Sequence, residues 1–149
     1  MAGSIIGGLV ASGHPPRNIR AADPYPQSLE RLQSIAPVAT SADNAAAVAG
    51  ADVVILAVKP QVMADVCRGI AAPVATSGAV VISIAAGITI DSMRAWLGAT
   101  TPIVRCMPNT PALLGCGASG LFAAAEVSAQ QREYAGRILS AVGQVTWVP

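Results

Sequence analysis

The sequence predicts a doubly wound α/β protein on a mostly parallel sheet, and three observations carry that reading. Short apolar runs at Val53 to Val58 and Ala79 to Ile84 lack polar alternation, as strands do when both faces are covered. Segments with helix-start signals, Ser41-Ala42-Asp43-Asn44 and Ser128 among them, alternate with the strand patterns. The composition is 53% hydrophobic, 11% charged and rich in alanine, which suits a tightly layered fold rather than a disordered chain. At 149 residues the chain fits one domain, residues 1–149, with a core that needs no disulfides.

Taken in order, Met1 to Ser12 reads as a helix packed closely on the sheet through Gly3, Gly7 and Ala11 and ended by Gly13. A strand is expected at Asn18 to Ala22, a helix at Ser28 to Ile35 and a short strand at Val38 to Thr40. The Ser41 to Asn44 cap opens a short helix through Val48, and strand Val53 to Val58 ends at Pro60. Next come helix Gln61 to Ile70, strand Ala79 to Ile84, helix Ile90 to Leu97 and strand Pro102 to Met107. After a loop, strand Ser119 to Ala123, helix Ala129 to Ala141 behind Ser128, and strand Val145 to Val148 complete the pattern.

Charge and cysteine usage exclude several function classes. The net charge is +1 and no Lys/Arg cluster is interleaved with aromatics, so nucleic acid is not an expected partner. The apolar runs are too short to span a bilayer, and the first residues lack the basic leader of a signal peptide. Cys67, Cys106 and Cys116 are odd in number and lack zinc-site spacing, which fits reduced, buried thiols and a cytoplasmic protein. No metal site is expected. The lone His14 follows the Gly13 turn and reads as a surface residue, and no nucleophile pattern recurs.

In a doubly wound sheet, ligands bind beyond the carboxyl ends of the strands. There the sequence places Asp23 and Pro24, Lys59 and Pro60, Ala85 to Gly87, and Pro108 to Thr110, all on one expected rim. Small residues at Ala57, Ala85, Ala86 and Gly87 leave room for a flat ring or a ribose, which favours a nucleotide cofactor. The run from Val104 to Gly117 breaks from an apolar strand into a loop fixed by Pro108 and Pro111 and opened by Gly115 and Gly117. Proline fixes φ and glycine permits close approach, so this loop reads as a wall beside a ligand.

The segments Ala57-Val58-Lys59-Pro60-Gln61, Ser83-Ile84-Ala85-Ala86-Gly87 and Arg105-Cys106-Met107-Pro108-Asn109-Thr110-Pro111 resemble, in order and spacing, the marker segments of pyrroline-5-carboxylate reductase. Met1-Ala2-Gly3 is similar to the end of that family's phosphate loop. The resemblance spans essentially the whole chain. It implies a Rossmann-like domain binding NADP or NAD, in an enzyme that reduces the ring imine of 1-pyrroline-5-carboxylate to proline. Hydride addition to a readily protonated imine needs alignment of two reactants more than a strong protein acid, so no catalytic side chain is expected.

Carried over by position, the resemblance places Met1 and Ala2 at the phosphates, Asp23 and Pro24 near the adenosine ribose, and Asn44 near the adenosine half. Ala57, Val58, Lys59 and Pro60 would lie along the dinucleotide, with Ile84, Ala85 and Ala86 on the nicotinamide side and Pro108 and Asn109 bordering the substrate cleft. Each residue also has an ordinary role: Asp23-Pro24 as a turn starter, Asn44 as a helix cap, Lys59 as a solvated charge. An acid in the Asp23 position accepts from a ribose 2′-hydroxyl and favours NADH, while nearby Arg17 and Arg20 suit the 2′-phosphate of NADPH.

Compared with the family pattern, the sequence is expected to be truncated at both ends, beginning after the first strand and the Gly-x-Gly turn. At the other end it is expected to stop short of the helical domain of the homo-oligomeric relatives. The expected sheet is therefore incomplete at the N-terminus, with a gap and unpaired strand edges, and the chain is expected to show little or no activity. A non-catalytic interaction module and a related imine or β-hydroxyacid reductase, or a deazaflavin-dependent one, are the alternatives.

Overall fold

The computed structural model describes residues 2–108 and 117–148. Helix α1 (Ala2–Ala11) leads into β1 (Arg20–Ala22), α2 (Pro26–Ile35), β2 (Ala39–Ser41) and α3 (Asn44–Val48). Strand β3 (Val53–Leu56), α4 (Met63–Ser77), β4 (Val80–Ser83) and α5 (Ile90–Leu97) follow. Strands β5 (Ile103–Pro108) and β6 (Gly117–Ala123), helix α6 (Ala129–Ser140) and β7 (Gly143–Trp147) complete the order.

The strands form two sheets, as the expected gap implies. β1 and β2 pair in parallel, while β3-β4-β5-β6-β7 form a five-stranded sheet in that spatial order. Within the larger sheet only the β5–β6 pair is antiparallel. Helix α1 straddles the two sheets through adjacent side chains. Ile5 is buried in the cluster that holds Val80 and Ile82 of β4, whereas Ile6 is buried with Ala36 and Val38 beside β2. An α-helix turns by roughly 100° per residue, so neighbouring positions can serve two surfaces.

Two apolar layers sandwich the five-stranded sheet. Met63, Cys67, Ile70 and Val74 of α4 and Met93 and Leu97 of α5 pack on Val54, Leu56, Val81 and Ile103. On the opposite face, Ala135 and Leu139 of α6 and Ile5 of α1 cover Val80, Ile82, Val104, Cys106 and Leu121. All four β4 residues are buried, but in β3 burial alternates, with Val53 and Ile55 only half-buried. The expectation that both faces of the Val53 run are covered is therefore met only in part by β3, whereas the Ala79 run is buried throughout β4. The cause is position: β4 lies between two strands, while β3 is at the sheet edge.

Several boundaries move. Residue Asn18 belongs to a 3-10 turn, Pro16–Asn18, and the strand begins at Arg20. Strand β3 stops at Leu56, two residues before the expected Val58. Helix α2 starts at Pro26, where a missing amide hydrogen costs a first turn nothing. The cap of α3 is Asp43, whose carboxylate accepts from the Ala45 amide at 3.0 Å, so Asn44 is the first helical residue and not the cap.

The largest correction is α4. The expected Gln61 start is a 3-10 turn at Pro60–Val62, and the helix runs to Ser77, past Pro73. Proline removes one backbone hydrogen bond, but Ile70 and Val74 are buried on either side of it, and their burial outweighs that loss. Gly78, at φ +71°, then ends the helix in the left-handed conformation.

Cys67 and Cys106 are buried, as expected, while Cys116 lies outside the described residues. Burial pushes the Cys67 thiol up to about 11 from 9.0. Protons are then held more tightly in the folded state than in the unfolded one. Its contribution to stability is complete below pH 9.0 and is lost as pH rises towards about 11. Titrated unfolding across that window is expected to show the fall, and labelling of Cys67 at mildly alkaline pH is expected only under denaturing conditions.

Candidate functional site

The carboxyl ends of β1 and β3 open on a common cavity. Its volume is about 630 Å³, and Ala2, Gly3, Ser4, Gly7 and Gly8 of α1 form one long wall. Asp23, one residue beyond β1, and Ala57, one residue beyond β3, also line it, and α2 contributes Ser28, Arg31, Leu32 and Ile35. Ala141 and Val142, between α6 and β7, complete the lining.

The α1 wall is narrow because its residues are small. A Cβ on Gly3 would stand 3.0 Å from Ile35 Cδ1, and one on Gly8 only 2.6 Å from the Ala141 carbonyl oxygen. These close approaches hold α1 against α2 and the α6–β7 turn. They also leave the first turn of α1, whose amides have no partner within the helix, on the cavity. Such a helix start is suited to anions.

Asp23 is held in place by its own turn, with Oδ1 accepting from the Tyr25 amide at 2.9 Å. Arg31 is the only cation on the wall, and its guanidinium has no hydrogen-bond or ion-pair partner among the described residues. Arg20, by contrast, donates to the Ala49 carbonyl at 2.7 Å, and neither Arg20 nor Arg17 lines the cavity. Sequence reasoning looked for the cation beside β1 and missed Arg31. The signal was its position on the second turn of α2, the helix that starts just after Asp23.

Of the residues expected at the site, the structure brings Ala2, Asp23 and Ala57 onto one cavity. Pro24, Asn44, Val58, Lys59, Pro60, Ile84, Ala85 and Ala86 do not line it. Met1 and Asn109, with Thr110 and Pro111, lie outside the described residues. Sheet register sets Leu56, Ser83 and Arg105 side by side, so Ala57 and Ile84 emerge at one height. Val58 packs on the α4 side of the sheet and Ile84 on the α6 side, while Ala85 is buried and donates to Ser83 Oγ at 3.3 Å. Ala86, Lys59 and Pro60 are exposed. His14 is exposed as well, and no group of three metal-ligating side chains occurs among the described residues.

Strand ends that open on a cavity beside a helix start define the doubly wound α/β class, whose ligands sit at that position. Residues 1–87 match the family described as NADP oxidoreductase, coenzyme F420-dependent, and the chain belongs to that family. Among curated proteins it is similar to the pyrroline-5-carboxylate reductase of Pseudomonas aeruginosa, at 52% identity over 148 residues, covering 99% of this chain and 54% of that protein. Among solved structures it is similar to a pyrroline-5-carboxylate reductase from Coxiella burnetii, with a TM-score of 0.96 and 38% identity over 99% of this chain and 55% of that one. The Plasmodium falciparum pyrroline carboxylate reductase, solved with NADP bound, shares the fold at a TM-score of 0.85 and 22% identity, over 98% of this chain and 53% of that one. The chain spans about half the length of the curated relatives it matches. No helix among the described residues is long and apolar enough to cross a membrane.

Proposed function

We propose that this chain is the cofactor domain of an NAD(P)H-dependent reductase that converts 1-pyrroline-5-carboxylate to L-proline. The observation that carries the proposal is the convergence of Ala2, Asp23, Ala57 and Arg31 on one cavity at the carboxyl ends of two strands. Its volume, about 630 Å³, lies in the range of small-molecule sites and accommodates the adenosine half of a dinucleotide. The polar groups suit that occupant: a helix start for phosphate, a carboxylate for a ribose hydroxyl and an unpaired guanidinium for a further phosphate. The cofactor, when bound, supplies the hydride. The chain's own residues bind and orient it. In this reading Pro24 lies near the adenosine ribose, Asn44 near the adenosine half, and Val58, Lys59 and Pro60 along the dinucleotide, while Ile84, Ala85 and Ala86 face the nicotinamide and Pro108 and Asn109 border the substrate cleft. Because the relatives are about twice as long, the proposal assigns cofactor binding to this chain and turnover to a polypeptide of their length.

Titration of the protein with 2′,5′-ADP and with 5′-ADP tests the assignment. Both are expected to bind, and Arg31→Leu is expected to weaken 2′,5′-ADP by about 10- to 100-fold while leaving 5′-ADP nearly unchanged. Failure of both nucleotides to protect the cavity residues from amide exchange would overturn the cofactor assignment. Loss of both nucleotides in Arg31→Leu would reject only the 2′-phosphate role. Asp23→Ala is expected to weaken 5′-ADP, since a ribose hydroxyl would lose its acceptor.

A further inference from the structure

Ser83 is the most deeply buried polar side chain among the described residues, at 1% exposure, and Thr101 at 7% is the only other buried one. It ends β4 on the carboxyl rim of the sheet, with Leu56 of β3 and Arg105 of β5 beside it in register. Val80, Val81 and Ile82, which precede it, are apolar and fully buried. An apolar side chain would fill the same place without taking a hydroxyl out of water, so the polar one requires a cause.

The turn that follows supplies it. Ser83 Oγ accepts from the Ala85 amide at 3.3 Å, while the Ile84 amide reaches across to the Leu56 carbonyl at 3.2 Å. The first two amides beyond the strand are thus anchored. Gly87, at φ +78°, then turns the chain through the left-handed region, and Thr89 fixes the start of α5 by accepting from the Ser92 amide.

Between these anchors Ala86 and Gly87 are exposed, and their amides make no hydrogen bond among the described residues. A Cβ added at Gly87 would meet nothing within 4 Å, so the space beside the turn is open. Two neighbouring donors left free on the rim where ligands of this class sit suit a carbonyl oxygen on the ligand. The carboxamide of a nicotinamide provides one. We propose that Ser83 is a positioning residue, its hydroxyl holding the Ala85 amide so that the Ala86 and Gly87 amides stay available as donors to the nicotinamide carboxamide. This role rests on the proposed cofactor assignment, in which Ile84, Ala85 and Ala86 face the nicotinamide. Ser83 acts through the backbone and does not itself touch the cofactor.

NADPH and 2′,5′-ADP are the probes, because they share the adenosine half and only NADPH carries the nicotinamide. Ser83→Ala is expected to weaken NADPH by about three- to tenfold, the effect of one hydrogen bond, and to leave 2′,5′-ADP unchanged. Ser83→Thr, which keeps the hydroxyl, is expected to restore NADPH binding. A hydroxyl that served only the fold would lower both affinities together. Amide exchange in the unaltered chain needs no variant: NADPH, and not 2′,5′-ADP, is expected to protect Ala86 and Gly87. Equal weakening of both probes by Ser83→Ala, unchanged NADPH binding, or bound NADPH that leaves those two amides unprotected would overturn the role of Ser83 and leave the cofactor assignment standing. Failure of both probes to bind the unaltered chain would overturn the two together.

Discussion

Replacing Gly8 by valine is expected to lower the unfolding free energy by about 3 kcal/mol, the upper end of what overpacking a well-filled site costs. The reason is backbone, not side chain. A Cβ at Gly8 would stand 2.6 Å from the Ala141 carbonyl oxygen and 3.2 Å from both its carbon and Val142 Cγ1. A carbonyl held in the turn between α6 and β7 has no rotamer to escape into, so α1 must lift. Lifting α1 withdraws Ile5 from β4 and Ile6 from Val38, loosening the contact that joins the two sheets. Because Gly8, Ala141 and Val142 all line the cavity, nucleotide binding is expected to fall with stability. Urea unfolding of Gly8→Val beside Gly69→Ala makes the comparison. Gly69 is in α4 with nothing within 4 Å of an added Cβ, so alanine there is expected to stabilise by about 0.5 to 1 kcal/mol. Equal midpoints for the two variants would show that α1 does not rest on the α6–β7 turn.

Ile82→Ala is expected to cost about 4 kcal/mol, and Ile82→Val about 1 kcal/mol. Ile82 is fully buried in β4, with Ile55 of β3 and Val104 of β5 beside it in register. Its cluster includes Ile5 of α1 and Leu139 of α6, so a cavity there is walled by two strands and two helices that cannot collapse together. Phe122→Ala, at an exposed site, is expected to change stability by no more than about 0.5 kcal/mol. Chemical denaturation of the three variants tests the order. An Ile82→Ala loss as small as that of Phe122→Ala would mean that β4 is not the centre of the core.

Features that depend on a few neighbouring residues were legible in the sequence. Helix α5 spans Ile90–Leu97 as expected, and Ser128 caps α6 with a reciprocal bond in which Gln131 returns its side chain to the Ser128 amide. Each rests on local periodicity or one capping side chain. The extension of α4 across Pro73 was not legible, because local propensity stops a helix at proline and only the burial of Ile70 and Val74 against the sheet carries it through. Likewise Arg105 read as one residue of a marker segment, since nothing local to β5 says that Phe122 lies opposite it or that Arg94 holds the nearby acids.

Alternating apolar runs and the spacing of the Ala57, Ser83 and Arg105 segments by themselves determined the α/β class, the order of its elements and the resemblance to pyrroline-5-carboxylate reductase. Which residues share a cavity was settled by the three-dimensional packing. It put Asp23, Ala57 and Arg31 on one cavity, left Lys59 and Pro60 outside, and joined the two sheets through α1. The physical reason is range. Periodicity and capping are exchanged between residues a turn apart, whereas a cavity wall is assembled from helices and strand ends brought together by burial of side chains far apart in the chain.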